Sequence, residues 1–243
     1  MKKKALVVGG SNGIGLAIAL CLADEYDVTV IDKVAPDALV ADRFHFEQFD
    51  LTHEDYSVFD HYADVDLLMI TAGFGRLALF DDIDEAMIPL YFQVNTISVI
   101  RIIKHFYHRL HDNSRFRCGV MVSIAGFMSS PFFSVYGATK AALKVFIESV
   151  NVELEKAGSP NRILNVSPGS IKGTCFDGGT QNATDETIPL ARDIIARLEA
   201  GDDLFIPKYD EVFSHVLERY HKDFRAEGRH SYEYKQASGR MKS

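Results

Sequence analysis

The chain has 243 residues, of which 25% are charged and 47% hydrophobic, as is ordinary for a globular protein with a sizeable core. Its formal net charge of −8 disfavours a general nucleic-acid binder, because affinity for phosphate groups needs a basic surface. Cys21, Cys118 and Cys175 have neither metal-binding nor redox-pair spacing, so we expect no metal site and reduced thiols in a cytoplasmic protein.

The N-terminus combines three lysines with an apolar stretch, which is also typical of a secretory signal peptide. Small and polar residues at 9–13 interrupt that stretch, and we therefore expect no signal peptide. No other apolar run approaches the length of a membrane-spanning helix, so we expect no membrane span.

Short apolar runs alternate with segments of helical length along the chain. We predict strands at 5–9, 28–32, 44–51, 65–73, 118–126, 162–169 and 204–207, and helices at 14–25, 85–111 and 134–156. Continuous apolar strands that alternate with helices favour a parallel sheet covered on both faces. The prediction is an α/β fold, a Rossmann-type doubly wound sheet of about seven strands in a single domain over 1–243.

Three segments depart from this alternation. Residues 33–43 are too few for a crossover helix and predict a loop or a single turn. Residues 170–186 are rich in Gly, Ser, Thr and Asn and predict a mobile loop at the substrate. Residues 209–243 predict an extension that is amphipathic and helical up to Glu227, with a loose polar tail over the last fifteen residues.

A glycine-rich turn, GGSNGIG, connects the first strand to the first helix. Glycines let the backbone approach a pyrophosphate, and a helix N-terminus offers free N–H groups and the positive end of a dipole. A glycine-rich turn without a ligand is the alternative, which the strand–turn–helix context disfavours. We expect a dinucleotide cofactor to contact Gly9, Ser11, Asn12, Gly13, Ile14 and Gly15.

Asp32 ends the second strand, seventeen residues after Gly15. A carboxylate at this position accepts hydrogen bonds from the adenosine ribose hydroxyls and repels the additional phosphate of NADP, which favours NAD. Lys33 leaves NADP as an alternative, because a neighbouring cation tolerates that phosphate. An ordinary solvated acid is the other interpretation of Asp32.

Tyr136 and Lys140 are four residues apart at the start of a predicted helix and therefore lie on one face. This spacing alone is common by chance. Ser123 precedes the pair at the end of a predicted strand, and Asn95 lies within the long predicted helix. With the glycine turn, Asp32, DL at 50–51, TAG at 71–73 and SPGSIKGT at 167–174, these residues resemble the single-domain short-chain dehydrogenases/reductases over about 5–207.

The resemblance implies an oxidoreductase that transfers a hydride between a nicotinamide cofactor and a secondary alcohol or ketone. Tyr136 would be the general acid/base, and Lys140 would lower its pKa from about 10 and bind the nicotinamide ribose. Ser123 would hold the substrate oxygen. Asn95 would kink its helix and position a water that links Lys140 to solvent. The resemblance also implies cofactor contacts by Asp50, Leu51, Ala72, Gly73, Pro168, Gly169 and Ile171.

The chain departs from the family pattern at Val8, at Thr71 and at its C-terminus. Val8 stands where the family usually has Thr, and Thr71 stands where it usually has Asn. Both family residues tie the central strands together, so these two departures concern structure more than chemistry. The third departure is the extension over 209–243, because many relatives end just after the last strand; it would cap the substrate cleft or form an oligomer interface.

The segment between Ser123 and Tyr136 borders the substrate in this family and here contains Phe127, Phe132 and Phe133. An apolar, aromatic border predicts a medium-sized, largely apolar alcohol or ketone. The same aromatic residues could instead pack beneath the substrate loop or against a partner subunit. The resemblance also implies a homodimer or homotetramer that forms through the helices near 85–111 and 136–156. The sequence agrees, because apolar residues occupy more than one side of these helices.

Three other functions compete with a dehydrogenase. A regulatory protein that senses NAD(P) without turnover would be expected to lack the Tyr or the Lys, and this chain has both. An NADPH-dependent carbonyl reductase differs only in cofactor and direction. A nucleotide-sugar epimerase or dehydratase is disfavoured, because that class has another glycine spacing and a longer C-terminal substrate domain.

Overall fold

The structure, a computed structural model, describes residues 2–171, 174 and 186–238 of the chain. Seven parallel strands form one sheet in the order β3-β2-β1-β4-β5-β6-β7. They are β1 Lys3–Val8, β2 Tyr26–Asp32, β3 His45–Gln48, β4 Leu67–Ile70, β5 Arg117–Met121, β6 Ile163–Val166 and β7 Leu204–Phe205. Each strand overlaps a predicted one, and the predicted doubly wound α/β fold is confirmed.

Helices cover both faces of this sheet. They are α1 Gly13–Leu22, α2 Met87–Phe92, α3 Ser98–His105, α4 Tyr107–His111, α5 Ser134–Lys156, α6 Thr187–Ala200, α7 Ser214–Lys222 and α8 Phe224–Ala237. Alternate residues of β1 enter opposite cores: Val7 packs with α1 and α6, and Val8 packs with α3 and α5. The sheet is therefore buried on both sides, as its continuous apolar strands require.

The predicted helix at 85–111 is not continuous. A π-helical segment, Gln93–Ile97, separates α2 from α3, and α4 follows after Phe106. The predicted turn within 33–43 is confirmed, because the regular structure there is one short 3-10 turn, Ala41–Arg43.

The prediction of a loose tail over the last fifteen residues is wrong for 229–237, which belong to α8. Asp223 caps this helix by accepting hydrogen bonds from the N–H groups of Arg225 and Ala226 at 3.0 Å each. Arg219 of α7 donates to both carboxylate oxygens of the buried Glu227 of α8, at 2.7 and 3.1 Å. These bonds stabilise a helix whose sequence is mostly polar.

Most of the predicted mobile loop 170–186 lies outside the described residues, so its mobility stays a prediction. In the described part of the chain, no helix combines the length and apolar character that crossing a membrane requires.

Candidate active site

The strand order reverses between β1 and β4, because the chain builds β2 and β3 on one side of β1 and returns to place β4 on the other. In open parallel sheets, ligands bind beyond the carboxyl ends of the strands at such a reversal. The glycine turn follows β1, Ala72 and Gly73 follow β4, and Ser123 follows β5. The topology thus brings the predicted site residues to one edge of the sheet.

The glycines hold the turn against the end of β4. Gly9 has a φ of +86°, and a Cβ atom there would lie 2.4 Å from the backbone nitrogen of Ala72. A Cβ atom at Gly15 would lie 2.2 Å from the carbonyl oxygen of Gly9. A side chain at Gly9 would push the turn away from the end of β4, and a side chain at Gly15 would push α1 away from the turn.

The same turn suits a phosphate-bearing cofactor. The N-cap residue of α1, Asn12, makes no side-chain capping bond within the described residues, so its side chain does not compete with a ligand for the first N–H groups of the helix. The hydroxyl oxygen of Ser11 is buried and has no hydrogen-bond partner among the described residues. Asp32 accepts a 3.1 Å hydrogen bond from the Ser11 N–H group, which fixes its carboxylate at the end of β2.

Asp50 and Leu51 follow β3, the outer neighbour of β2. The Asp50 carboxylate accepts a 2.9 Å bond from the Thr52 N–H group, and this bond holds the pKa of Asp50 below its usual range. The Leu51 side chain is buried in the core, and its carbonyl oxygen accepts a bond from the Tyr56 hydroxyl. The side chain and the carbonyl oxygen of Leu51 are thus engaged within the fold, and the cofactor contact implied by the resemblance stays a prediction.

Three further predicted cofactor residues follow β6. The Pro168 carbonyl accepts a 3.1 Å bond from the Ile124 N–H group, which joins this segment to the one after β5. A Cβ atom at Gly169 would lie 2.6 Å from the ring of Phe213, in the C-terminal extension. Ile171 packs, partly buried, against the core on the α1 and α6 side.

Lys140 and Tyr136 are both buried at the start of α5. The Lys140 Nζ atom donates a 2.8 Å bond to the Met121 carbonyl and lies 5.8 Å from the centroid of the Tyr136 ring. Burial lowers the pKa of Lys140 to about 7. Burial also raises the pKa of Tyr136 to about 12, and a hydrogen bond with the Ser123 hydroxyl opposes this rise only in part. Burial, opposed in part by Ser123, thus sets the direction of the Tyr136 pKa, and the expected lowering by Lys140 is not among the causes.

Ser123 lies between β5 and a short 3-10 turn, Ile124–Gly126. Its hydroxyl oxygen accepts a 3.1 Å bond from the Ala125 N–H group and interacts with the Tyr136 phenol. The backbone therefore orients the Ser123 hydroxyl toward the Tyr136 phenol. The two hydroxyl groups are placed to bind the same substrate oxygen.

Asn95 lies in the π-helical segment and is fully buried. Its side chain accepts a 2.9 Å bond from the Phe74 N–H group and donates a 2.8 Å bond to the Phe74 carbonyl. A Cβ atom at Gly73 would lie 3.1 Å from Asn95 Oδ1 and 3.4 Å from Lys140 Nζ, so the glycine leaves space beside both groups. The predicted distortion of this helix at Asn95 is present, and π-helical segments are frequent at functional sites.

Thr71 explains one departure from the family pattern. Its hydroxyl lies 3.1 Å from the Val8 carbonyl and 2.9 Å from the Gly9 carbonyl, to which it donates. The threonine thus links the end of β4 to the end of β1, and the Val8 side chain packs in the core.

Only one of the three predicted substrate residues touches Tyr136. The Phe133 ring lies 5.2 Å from the Tyr136 ring, centroid to centroid. Phe127 instead lies beside Lys144, whose Nζ atom is 5.0 Å from its ring centroid. Phe132 is buried and packs on Tyr232 of α8 at 4.5 Å.

The cluster around Tyr136 also includes residues that the sequence did not indicate. Tyr91 of α2 is buried there and stacks on Phe74 at 4.6 Å between ring centroids. Partly buried apolar residues complete the cluster: Ile83, Met87, Ile88 and Phe92. The sequence signal for these residues was the apolar start of the predicted helix at 85–111. Only the fold shows that this part of the helix faces Tyr136.

Comparison with known proteins agrees with this geometry. A family model described as short chain dehydrogenase matches residues 3–184. The uncharacterized oxidoreductase YusZ of Bacillus subtilis is 28% identical over 88% of this chain and 77% of its own length. Carbonyl reductase family member 4 of Xenopus laevis is 27% identical over 89% of this chain and 96% of its own length.

Solved structures share the fold. The alcohol dehydrogenase of the archaeon Thermococcus sibiricus, complexed with 5-hydroxy-NADP, superposes with a TM-score of 0.71 at 21% identity, covering 85% of this chain and 96% of that one. With the parallel sheet, the glycine turn and the family match in place, this chain belongs to the short-chain dehydrogenase/reductase family, a family of oxidoreductases whose fold binds NAD(P).

Proposed function

We propose that this protein transfers a hydride between NAD(P) and a secondary alcohol or ketone. The observation that carries the proposal is the arrangement of the partly exposed Ser123 with the buried Tyr136 and Lys140 at the carboxyl end of β5, on the same edge as the glycine turn. A bound nicotinamide supplies the hydride acceptor or donor. The chain itself supplies the proton and the groups that orient the substrate oxygen.

Tyr136 is the proton donor in the direction of ketone reduction. Its pKa of about 12 keeps the proton on the phenolic oxygen until a carbonyl oxygen that gains negative charge takes it. Ser123 donates a hydrogen bond to the same substrate oxygen and stabilises the developing charge. Lys140, with a pKa of about 7, holds or releases a proton near neutral pH and stabilises the phenolate of Tyr136 when charged.

The substrate in this proposal is a medium-sized, largely apolar carbonyl compound or its alcohol. The cluster of Phe74, Tyr91 and Phe133 around Tyr136 supports this class. Aromatic rings offer a surface on which the apolar part of a substrate can pack, and such a substrate needs no hydrogen-bond partner there. The test is a panel of apolar ketones, sugars and acyl thioesters. The turnover of each compound is measured through the oxidation of the reduced nicotinamide cofactor. Turnover of apolar ketones is expected, and turnover confined to sugars or thioesters would refute the substrate class.

For the cofactor we propose NAD. The support is the Asp32 carboxylate, held at the end of β2 by the Ser11 N–H group, where it would repel the additional phosphate of NADP. NADH and NADPH binding is to be titrated side by side by fluorescence, with Asp32→Ala as the variant. Asp27→Ala is the matched control, since Asp27 is an exposed acid of the same strand.

NADH should bind more tightly than NADPH, and Asp32→Ala should lose the preference while Asp27→Ala keeps it. Tighter binding of NADPH by the wild-type protein would contradict the argument from Asp32 and point to Lys33. That outcome would favour the reductive alternative, an NADPH-dependent carbonyl reductase, which the similarity to carbonyl reductase family member 4 also supports.

A further inference from the structure

We propose that α8 positions the substrate-side loop, residues 129–133, beside Tyr136, and that Tyr232 and Lys235 are the positioning residues that do so. The proposal deepens the function proposed above, on which its consequence for the substrate rests. It concerns the apolar side of the site and leaves the cofactor side unaffected.

Lys235 makes three contacts with the substrate-side loop. Its Nζ atom donates a 2.6 Å bond to the Ser130 hydroxyl and a 2.8 Å bond to the Pro131 carbonyl. The same ammonium group lies 5.3 Å from the centroid of the Phe133 ring. One side chain of α8 thus contacts three residues of the loop.

Tyr232 packs on Phe132, which lies between two of the residues that Lys235 contacts. Its ring packs on the ring of Phe132, whose backbone is left-handed with a φ of +65°. A bulky residue adopts this conformation only where its surroundings impose it. The packing beneath Tyr232 and the 3.0 Å bond from the Ala78 N–H group to the Phe132 carbonyl are the contacts that impose it here.

The substrate-side loop leads directly to Tyr136. The Phe133 N–H group donates a 2.9 Å bond to the Ser130 carbonyl, and the Gly137 N–H group donates a 2.7 Å bond to the Phe133 carbonyl at the first turn of α5. The Phe133 ring lies against the Tyr136 ring. A shift of residues 130–132 would therefore move the aromatic residue that borders the phenol.

α8 is itself fixed to the remainder of the extension. The bonds from Arg219 to Glu227 join α8 to α7. Phe213, the residue directly before α7, packs on Gly169 after β6. The extension thereby contacts the segments that follow both β5 and β6. Its position is suited to shaping the substrate side of the site from outside the family's shared sheet.

The experiment compares Tyr232→Leu, Lys235→Met and Lys235→Arg with the wild-type protein. Lys235→Met keeps the aliphatic stem and loses the donors, whereas Lys235→Arg keeps the charge and the donors and should rescue. Tyr234→Leu is the matched control, because Tyr234 lies on the same helix and its side chain is 64% exposed. The readouts are amide hydrogen exchange over 127–136, the KM and kcat for an apolar ketone, and the Kd for NADH.

Tyr232→Leu and Lys235→Met should speed exchange over 127–136 by about tenfold, with unchanged exchange in β1 and β4 as proof of a folded sheet. KM for the ketone should rise about tenfold while the Kd for NADH stays within about twofold. Tyr234→Leu should match the wild-type protein in every readout.

Unchanged exchange over 127–136 in both variants overturns the proposal, whether or not the protein is active. Faster exchange with an unchanged KM overturns the positioning role as well. A wild-type protein that turns over no carbonyl compound refutes the function proposed above, and the exchange data then decide the role of α8 on their own.

Discussion

The ammonium group of Lys140 lies 2.8 Å from the main-chain carbonyl of Met121, the last residue of β5. This bond joins α5 to the strand that leads to Ser123. It keeps the lysine, which is only 2% exposed, close to Gly73, where the fully buried Asn95 also lies.

Lys140→Met should change how stability depends on pH. Because burial lowers the pKa of Lys140 to about 7 from its ordinary value of 10.5, the unfolded chain binds the proton that the folded chain has lost between these values. The wild-type free energy of unfolding should therefore gain, relative to Lys140→Met, up to about 1.4 kcal/mol for each pH unit above about 7.

The measurement is urea unfolding of both proteins, purified free of NAD(P), in steps between about pH 7 and about pH 9. This range lies below the titration of Tyr136, whose raised pKa affects stability only above about 10. A constant difference between the two proteins across the range would contradict the lowered pKa of Lys140.

Asn95→Ala should destabilise the fold and the site together. It leaves the N–H and carbonyl groups of Phe74 without their partner, at a cost of about 1–3 kcal/mol in the free energy of unfolding. Asn113→Ala, at an exposed loop position, should change it by less than about 0.5 kcal/mol. Chemical denaturation checks both, and equal effects of the two substitutions would count against the role given to Asn95.

Phe133→Ala should weaken binding of an apolar ketone, because the Phe133 ring lies against Tyr136. Loss of one aromatic side chain from an apolar site should raise KM about tenfold. Phe127→Ala should leave KM unchanged, since Phe127 lies beside Lys144. Steady-state kinetics decide, and a larger effect at Phe127 would place the substrate elsewhere.

A double variant, Val145→Asp with Val152→Asp, should separate the subunits of the expected homo-oligomer. The two valines are seven residues apart on one face of α5 and are 58% and 56% exposed. Leu39→Asp is the matched control, because Leu39 is 92% exposed in the segment 33–43. Sedimentation should show a dimer or tetramer for the wild-type and control proteins and a monomer for the variant, and a monomeric wild-type protein would refute the expectation.

The elements that carry the family motifs were predictable because their signals are local. The predicted helix at 134–156 agrees with α5 at both ends, and Tyr136 and Lys140 share a face because of their spacing alone. α6 was not among the predicted helices, although Leu190, Ile194 and Leu198 repeat at helical spacing on its buried side.

Other features depend on contacts between distant parts of the chain. α8 is polar overall, and Lys235 meets Ser130 across 105 positions of sequence, so no local pattern predicts that it is ordered. Tyr91 joins the cluster at Tyr136 only through the fold. The pKa of Tyr136 was expected to fall because of Lys140, but the sequence does not show the burial that raises it.

The most direct test of the proposed hydride transfer is Tyr136→Phe, measured for NADH binding and for carbonyl turnover in the same preparation. Phenylalanine keeps the ring in contact with Phe133 and removes only the proton-bearing oxygen. The account predicts an NADH affinity within about twofold of the wild-type value and a loss of turnover of about a thousandfold or more. Turnover at the wild-type rate in Tyr136→Phe would contradict it.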